Sequence, residues 1–163
     1  MKARHPRRYA RGFSFIELIA CLAILGMLLG MAIPVAQTAM QRHREAELRQ
    51  SLAEIRVAID RYKRATETGK IPIQPGESGY PPDLQVLVDG VTDASSPSGA
   101  MLYFLRRLPR DPFHRGAEGD PAGGWGLRSY ASPADDPQVG DDVFDVYSLS
   151  RGKGLNEVPY AAW

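Results

Sequence analysis

The sequence predicts an α+β protein: one long N-terminal helix, hydrophobic and then amphipathic, packed on a small C-terminal antiparallel sheet. Three observations carry that expectation. An unbroken non-polar run fills residues 18–36. Residues 41–68 hold no glycine or proline and place apolar residues at helical spacing. From Gly69 onward the chain holds 13 of its 16 glycines, 11 of its 13 prolines and 10 of its 14 aromatics, a loop-rich style. The 163 residues make one globular domain's worth of chain. With 24% charged and 44% hydrophobic residues, it is neither a disordered tail nor a multi-span membrane protein. The net charge of +1 hides an asymmetry. Lys2, Arg4, Arg7, Arg8 and Arg11 crowd the first twelve residues, and the rest is formally −4. A slightly acidic body has no charge reason to bind nucleic acid. Cys21 stands alone, which excludes an internal disulfide and a cysteine-rich metal site.

The first element is the apolar helix. Nineteen residues, 18–36, rise about 28 Å, close to the thickness of a bilayer's hydrocarbon core. A cleaved secretory signal is the plainer reading, but the run is longer than such a signal's apolar core. Its best small-x-small site, Gly30-Met31-Ala32, leads straight into Ile33-Pro34. A retained single span fits better. Five positive charges before it and none immediately after keep residues 1–12 in the cytoplasm and send the chain from about Gln37 onward across the membrane.

Glu17 stands one turn into this helix, in apolar sequence. A carboxylate in hydrocarbon costs about 2.5–3.5 kcal/mol on insertion scales. Either it sits at the interface, half solvated, or a cation is placed to meet it. Cleavage after Gly12 would create an α-ammonium on Phe13, four residues away on the same helical face. In an assembly Glu17 would pair with the ammonium of a neighbouring chain and set the register between subunits.

These residues, Arg11-Gly12-Phe13-Ser14-Phe15-Ile16-Glu17-Leu18, resemble the class III signal of type IV pilins and type II secretion pseudopilins. The resemblance implies that Gly12 is the last leader residue, that a prepilin peptidase cuts after it, that Phe13 becomes the N-methylated terminus and that Glu17 is the assembly glutamate. Ser14 stands where threonine is common, and the leader is somewhat long.

Within the span, Gly26, Gly30 and Pro34 recur every fourth residue. They fit a close-approach face for another helix or ordinary membrane-helix composition. They also fit a soft segment, because two glycines lower helix propensity and Pro34 removes the hydrogen bond to the Gly30 carbonyl. The resemblance implies the third role, with kinking or partial unwinding in a filament.

The amphipathic half follows. Leu48, Leu52, Ile55, Ile59 and Tyr62 form one stripe, read as core packing against the C-terminal part. Arg42, Glu45, Arg49, Arg56, Asp60 and Arg64 fall on the other faces. Glu45–Arg49 and Asp60–Arg64 have the favourable i,i+4 orientation, about 0.2–0.5 kcal/mol each. Gly69 and Pro72 end the helix. Four segments result: leader 1–12, filament-core or transmembrane helix 13–36, amphipathic helix 37–68, and a loop-rich head 69–163.

In the head, 71–79 reads as an irregular link and 82–88 as a short helix opened by Pro82 and closed before Gly90. Residues 92–99 read as a small, polar, mobile loop, and 101–108 as a second helical or turn segment. The best strands are 125–132 and 143–149, an antiparallel pair packed on the helix stripe.

Gly79-Tyr80-Pro81-Pro82, then Leu105 to Phe113 with its Leu108-Pro109-Arg110-Asp111-Pro112, then Trp125-Gly126 and Asp145-Val146-Tyr147-Ser148-Leu149, follow the order found in the major, G-type pseudopilin family of type II secretion. That resemblance implies a pilin-like fold and a calcium-binding loop near the C-terminus. The matching stretch, 150–156, carries Arg151 and Lys153 and no carboxylate, so the inherited site is degraded. Asp135, Asp136, Asp141, Asp142 and Asp145 lie within eleven residues. They read as a solvated turn or, more sharply, as a metal site with Asp141, Asp142 and Asp145 as its candidates. No other cofactor is expected.

Enzyme chemistry is not expected. His5, His43 and His114 are isolated from any nucleophile or carboxylate constellation, and no glycine loop has a phosphate-cradling context. Arg106, Arg107, Arg110 and Arg115 form a basic patch. It is either solvated surface or a subunit contact facing the acidic 135–145 region of a neighbour. The resemblance therefore implies a structural subunit of a type II secretion pseudopilus, polymerised from the bacterial inner membrane to drive protein export. It would be single-pass, with its N-terminus cytoplasmic and its head periplasmic. Its partners would be the prepilin peptidase, other pseudopilins, further copies of itself, and an inner-membrane assembly platform driven by a cytoplasmic ATPase. The alternatives are a type IV pilus or competence pilin and a membrane-tethered periplasmic enzyme or binding module.

Overall fold

The computed structural model describes residues 12–114 and 124–163. The expected leader before Gly12, with His5, and residues 115–123, with Arg115 of the basic patch, lie outside the described residues. Within them the fold is α+β, as expected: a helix α1 (Phe15–Glu67), a short α2 (Val86–Asp89), four brief strands and a closing 3-10 turn. The chain forms two compact units, Met1–Met40 and Gln41–Trp163.

The first unit is the apolar part of α1. The helix starts two residues later than expected, because Ser14 takes the N-cap place and its carbonyl accepts the Leu18 N–H at 3.0 Å. It runs through Gly26, Gly30 and Pro34 without a break. The hydroxyl of Thr38 donates to the Pro34 carbonyl at 2.9 Å.

The second unit is built on the amphipathic part of α1. Leu48, Leu52, Ile55, Ile59 and Tyr62 are buried, joined by Leu84, Leu87, Trp125, Val143 and Val146. The stripe thus packs on the C-terminal part, as the periodicity predicts. Each fully buried Leu or Ile contributes about 1.5–3 kcal/mol relative to exposure.

Several local expectations are corrected. The 82–88 helix is reduced to Val86–Asp89, because the Asp83 carboxylate accepts the Val86 N–H at 2.8 Å and starts the turn there. Gly90, at φ 81°, ends it, and a Cβ there would meet the Tyr103 ring at 2.8 Å. Residues 101–108 are not helical. Met101–Leu102 is a strand, β2, paired antiparallel with β1 (Val91–Thr92) in the register Val91↔Leu102. The following Phe104 and Leu105 N–H groups both donate to the Leu87 carbonyl, which rules out helical i−4 bonding there. Of the expected 92–99 loop, Thr92 belongs to β1 and the rest lies in the connection of that hairpin, tied by Asp93 N–H to Ala100 O and Ala94 N–H to Lys70 O.

The expected C-terminal pair is present but shorter. Strand β3 (Trp125–Arg128) pairs antiparallel with β4 (Asp145–Ser148), from Trp125↔Ser148 to Arg128↔Asp145. Beyond it, the Ser129 N–H turns to the Gln138 carbonyl and the Val143 N–H to Pro81. Gly126 is required by its cross-strand neighbour, since a Cβ would lie 2.3 Å from the Tyr147 ring. The head therefore holds two two-stranded sheets rather than one among the described residues. A further unexpected piece, the 3-10 turn Tyr160–Ala162, buries Tyr160.

Candidate processing and assembly site

In the first unit, Gly12 and Phe13 precede the helix, and Phe13 is 80% exposed. A Cβ on Gly12 would meet nothing within 4 Å, so folding does not demand glycine there. Glu17 lies in the first turn of α1, where the helix's positive end favours a carboxylate whether or not a partner is present. Its side chain makes no hydrogen bond or ion pair among the described residues. Phe15, Ile16, Leu22, Ile24, Leu28 and Ile33 are all more than half exposed. A helix this long and apolar is sufficient to cross a membrane. A methyl group added at Gly26 or Gly30 would meet only open space, so any close approach these glycines serve involves a second helix.

In the second unit, polar residues of α1 hold the C-terminal segment. Glu45, expected on an outward face paired with Arg49, is instead buried at 5% exposure. Its Oε1 accepts the Leu155 N–H at 2.8 Å, the Tyr160 hydroxyl at 3.2 Å and Gln41 Nε2 at 3.1 Å. Arg49 lies over the Trp163 ring at 4.2 Å, a cation–π contact. Arg56, also expected outward, pairs with Asp145 at 2.7 Å and donates to the carbonyl oxygens of Val146 and Trp163. The ion pairs among the described residues are Arg56–Asp145 and Lys63–Glu67, so the expected Asp60–Arg64 pair is not formed either. The sequence does hold a signal for Glu45. Glu45, Leu48 and Leu52 follow the i, i+3, i+7 pattern, which puts the carboxylate on the apolar stripe.

Two sequence motifs meet in the interior. Asp111 is fully buried; its Oδ1 accepts the Phe113 and His114 N–H groups, and its Oδ2 accepts the Ser148 hydroxyl. The Pro-x-Asp-Pro turn and the Asp-Val-Tyr-Ser strand are thus joined through one satisfied carboxylate.

An open cleft of about 900 Å³ is lined by Tyr62, Tyr80, Tyr130, Glu77, Asp141 and Asp142 among others. Tyr80 and Tyr130 stack at 5.6 Å. The Tyr62 phenol is pushed up from its ordinary pKa, by burial first and then by the carboxylates of Glu77 and Asp83. That of Tyr80 is pushed up likewise, by burial and then Asp60, among others. For Asp142, burial would raise the pKa, but hydrogen bonds from Ser78, the Tyr130 N–H and the Ser129 hydroxyl outweigh it and hold the carboxyl low.

The metal candidates do not form one site. Asp145 is engaged by Arg56, and Asp142 by Ser129 and Tyr130. No three His, Cys, Asp or Glu side chains converge among the described residues. The 150–156 loop does not fit calcium, since it offers two cations and no carboxylate. Its Leu155 N–H is held by the buried Glu45 instead.

Comparison with known proteins gives two sequence matches. The Prokaryotic N-terminal methylation motif matches over residues 7–33, the stretch that holds Gly12, Phe13 and Glu17. The chain is 26% identical over 111 residues to the Type II secretion system core protein G of Klebsiella michiganensis, covering 66% of this chain and 70% of that protein. No solved structure matches. The two matches together support a G-type pseudopilin-like protein with a prepilin-type N-terminus.

Proposed function

We propose that the chain is a structural subunit of a type II secretion pseudopilus. It is inserted in the inner membrane with residues 1–12 cytoplasmic and the head periplasmic. A prepilin peptidase cuts after Gly12 and methylates Phe13. The chain then joins a helical filament with its own copies and sister pseudopilins, drawn up by an inner-membrane assembly platform that a cytoplasmic ATPase drives, and the growing fibre moves proteins out of the cell. The role is mechanical, and the chain is not an enzyme.

One observation carries the reading: a Gly12–Phe13 junction, exposed and outside the helix, leads within one turn to Glu17 and then to a long unpartnered apolar helix. An apolar surface of that length is stable only in lipid or against other helices. Passing from one to the other needs a register mark, and a buried carboxylate that must find an ammonium supplies it. Gly26, Gly30 and Pro34 soften the helix just beyond that mark. The segments are then leader 1–12, filament core 13–36, amphipathic helix 37–68 and head 69–163. The 150–156 loop carries two cations and no carboxylate, so this reading does not call on calcium.

Mass analysis of the mature N-terminus tests the reading. A chain beginning at N-methylated Phe13 is expected. An intact Met1, or a cut near Ala32, would overturn it.

A further inference from the structure

Three aromatic rings of the Gln41–Trp163 unit meet at the open cleft. Tyr80 and Tyr130 stack at 5.6 Å, and Phe144 stands edge-on to both, at 5.0 and 5.6 Å. Two of these rings already carry a cation from this chain. Lys63 Nζ lies 5.3 Å from the centre of the Tyr80 ring, and the Arg128 guanidinium lies 4.7 Å from that of Phe144. Arg128 does so with its Nε buried and without a hydrogen bond among the described residues. Tyr130 is the most exposed of the three rings, at 62%, and no cation lies over it among the described residues.

The charge left uncommitted in the cleft is negative. Asp141 and Glu77 are both exposed and line it with Tyr130. Asp141 makes no hydrogen bond or ion pair among the described residues, and Glu77 uses only one oxygen, on the Gln74 N–H at 2.8 Å. Lys63 is already spoken for, by the Ser78 carbonyl at 2.9 Å and by Glu67. Asp142 is occupied as well. It accepts from Ser78 on one wall and from the Ser129 hydroxyl and Tyr130 N–H on the other, which ties the walls together and shapes the cleft in advance. A ring face without a cation, flanked by carboxylates with free oxygens, suits a planar guanidinium. Such a group stacks on the ring while its N–H fork meets a carboxylate.

We propose that the cleft binds an arginine side chain on an extended segment of a different protein, with the guanidinium on the free face of Tyr130 and paired to Asp141. Tyr130 then takes from outside the kind of cation that Tyr80 and Phe144 take from within the chain. An extended segment fits because the opening, about 900 Å³, has the size of a small-ligand site and has room for a few residues, not for the face of a domain. The proposal goes beyond the filament reading and does not depend on it.

The test titrates the full-length chain in detergent with a blocked Gly-Ser-Arg-Ser-Gly peptide, followed by NMR shifts. Saturable binding is expected, with a Kd of about 1 mM. The same peptide with citrulline in place of arginine, alike in shape but uncharged, binds about tenfold more weakly. With lysine it binds about threefold more weakly, because an ammonium lacks the planar fork. Tyr130→Ala and Asp141→Asn each weaken arginine-peptide binding about fivefold, whereas Tyr130→Phe, which keeps the ring, binds as the wild type does. Asp141 is exposed and unbonded, so a loss at Asp141→Asn is not a loss of fold. No saturable binding, equal binding of the arginine and citrulline peptides, or wild-type affinity in either Tyr130→Ala or Asp141→Asn overturns the proposal. A fall in sedimentable filament in cells carrying Asp141→Asn would mean that a second copy fills the cleft, and this also overturns it. The titration needs no assembly, so its failure leaves the filament reading standing. A mature chain without a methylated Phe13 defeats that reading and leaves the binding site untouched.

Discussion

The two units handle the same kind of residue in opposite ways. In Met1–Met40 the large apolar side chains of α1 stay exposed, as with Ile24 at 62% and Leu28 at 59%. In Gln41–Trp163 the same helix buries Leu48 and Ile55 completely. One helix thus serves two solvents. Its second half is covered by its own chain, whereas the apolar side chains of its first half have no cover from the chain among the described residues. Stability of the head and competence to assemble are therefore separable properties, and substitutions should affect one without the other.

The widest separation is expected at core positions. Ile55→Ala should destabilise the head by about 2–5 kcal/mol, whereas Ile24→Ala should leave the head's thermal midpoint in detergent unchanged. A midpoint that fell equally for both would merge the two units into one cooperative body. Next comes Glu45→Ala, which leaves the Leu155 N–H and Tyr160 hydroxyl without an acceptor and should cost about 1–3 kcal/mol, read by chemical denaturation. Glu17→Ala, by contrast, should abolish filament yield with the head's midpoint intact.

Smaller effects sharpen the picture within the head. Arg56 and Asp145 retain 38% and 29% side-chain exposure, so Arg56→Ala should cost only about 0–1 kcal/mol. A loss as large as that of Glu45→Ala would show that the bonds to Val146 and Trp163 matter more than the ion pair. Asp142 and Asp93 are both held below the ordinary carboxylate pKa, Asp93 chiefly by the Ser95 hydroxyl. A depressed folded-state pKa contributes stability above the unfolded value, and that contribution is lost as pH falls through the folded value. The head's midpoint should therefore be flat near neutrality and decline below about pH 4, and Asp142→Asn should flatten that decline. The smallest expected effect is none at all: calcium added to the detergent-solubilised chain should leave the midpoint where it was.

The long helix is legible in the residues because its signals are local. Nineteen apolar residues and a 3.6-residue stripe each act on their own stretch of backbone. The head is less legible because its strands are very short; Val91–Thr92 and Met101–Leu102 offer two residues each, too few for a period-2 pattern. Glu45 and Arg56 read as outward because a charged side chain ordinarily points to water. Nothing within a few residues of them shows that the chain returns more than eighty residues later to cover that side of the helix.

The linear order of residues is enough to divide α1 into apolar and amphipathic halves and to set the class of the fold. These follow from composition and spacing along one continuous segment. The folded chain was needed to find that Glu45 holds the C-terminal loop, that Asp111 joins two distant motifs through Ser148, and that Tyr80 and Tyr130 meet at an acidic cleft. Those depend on which distant groups meet once the core has closed, and desolvation then makes each buried carboxylate choose its donors among them.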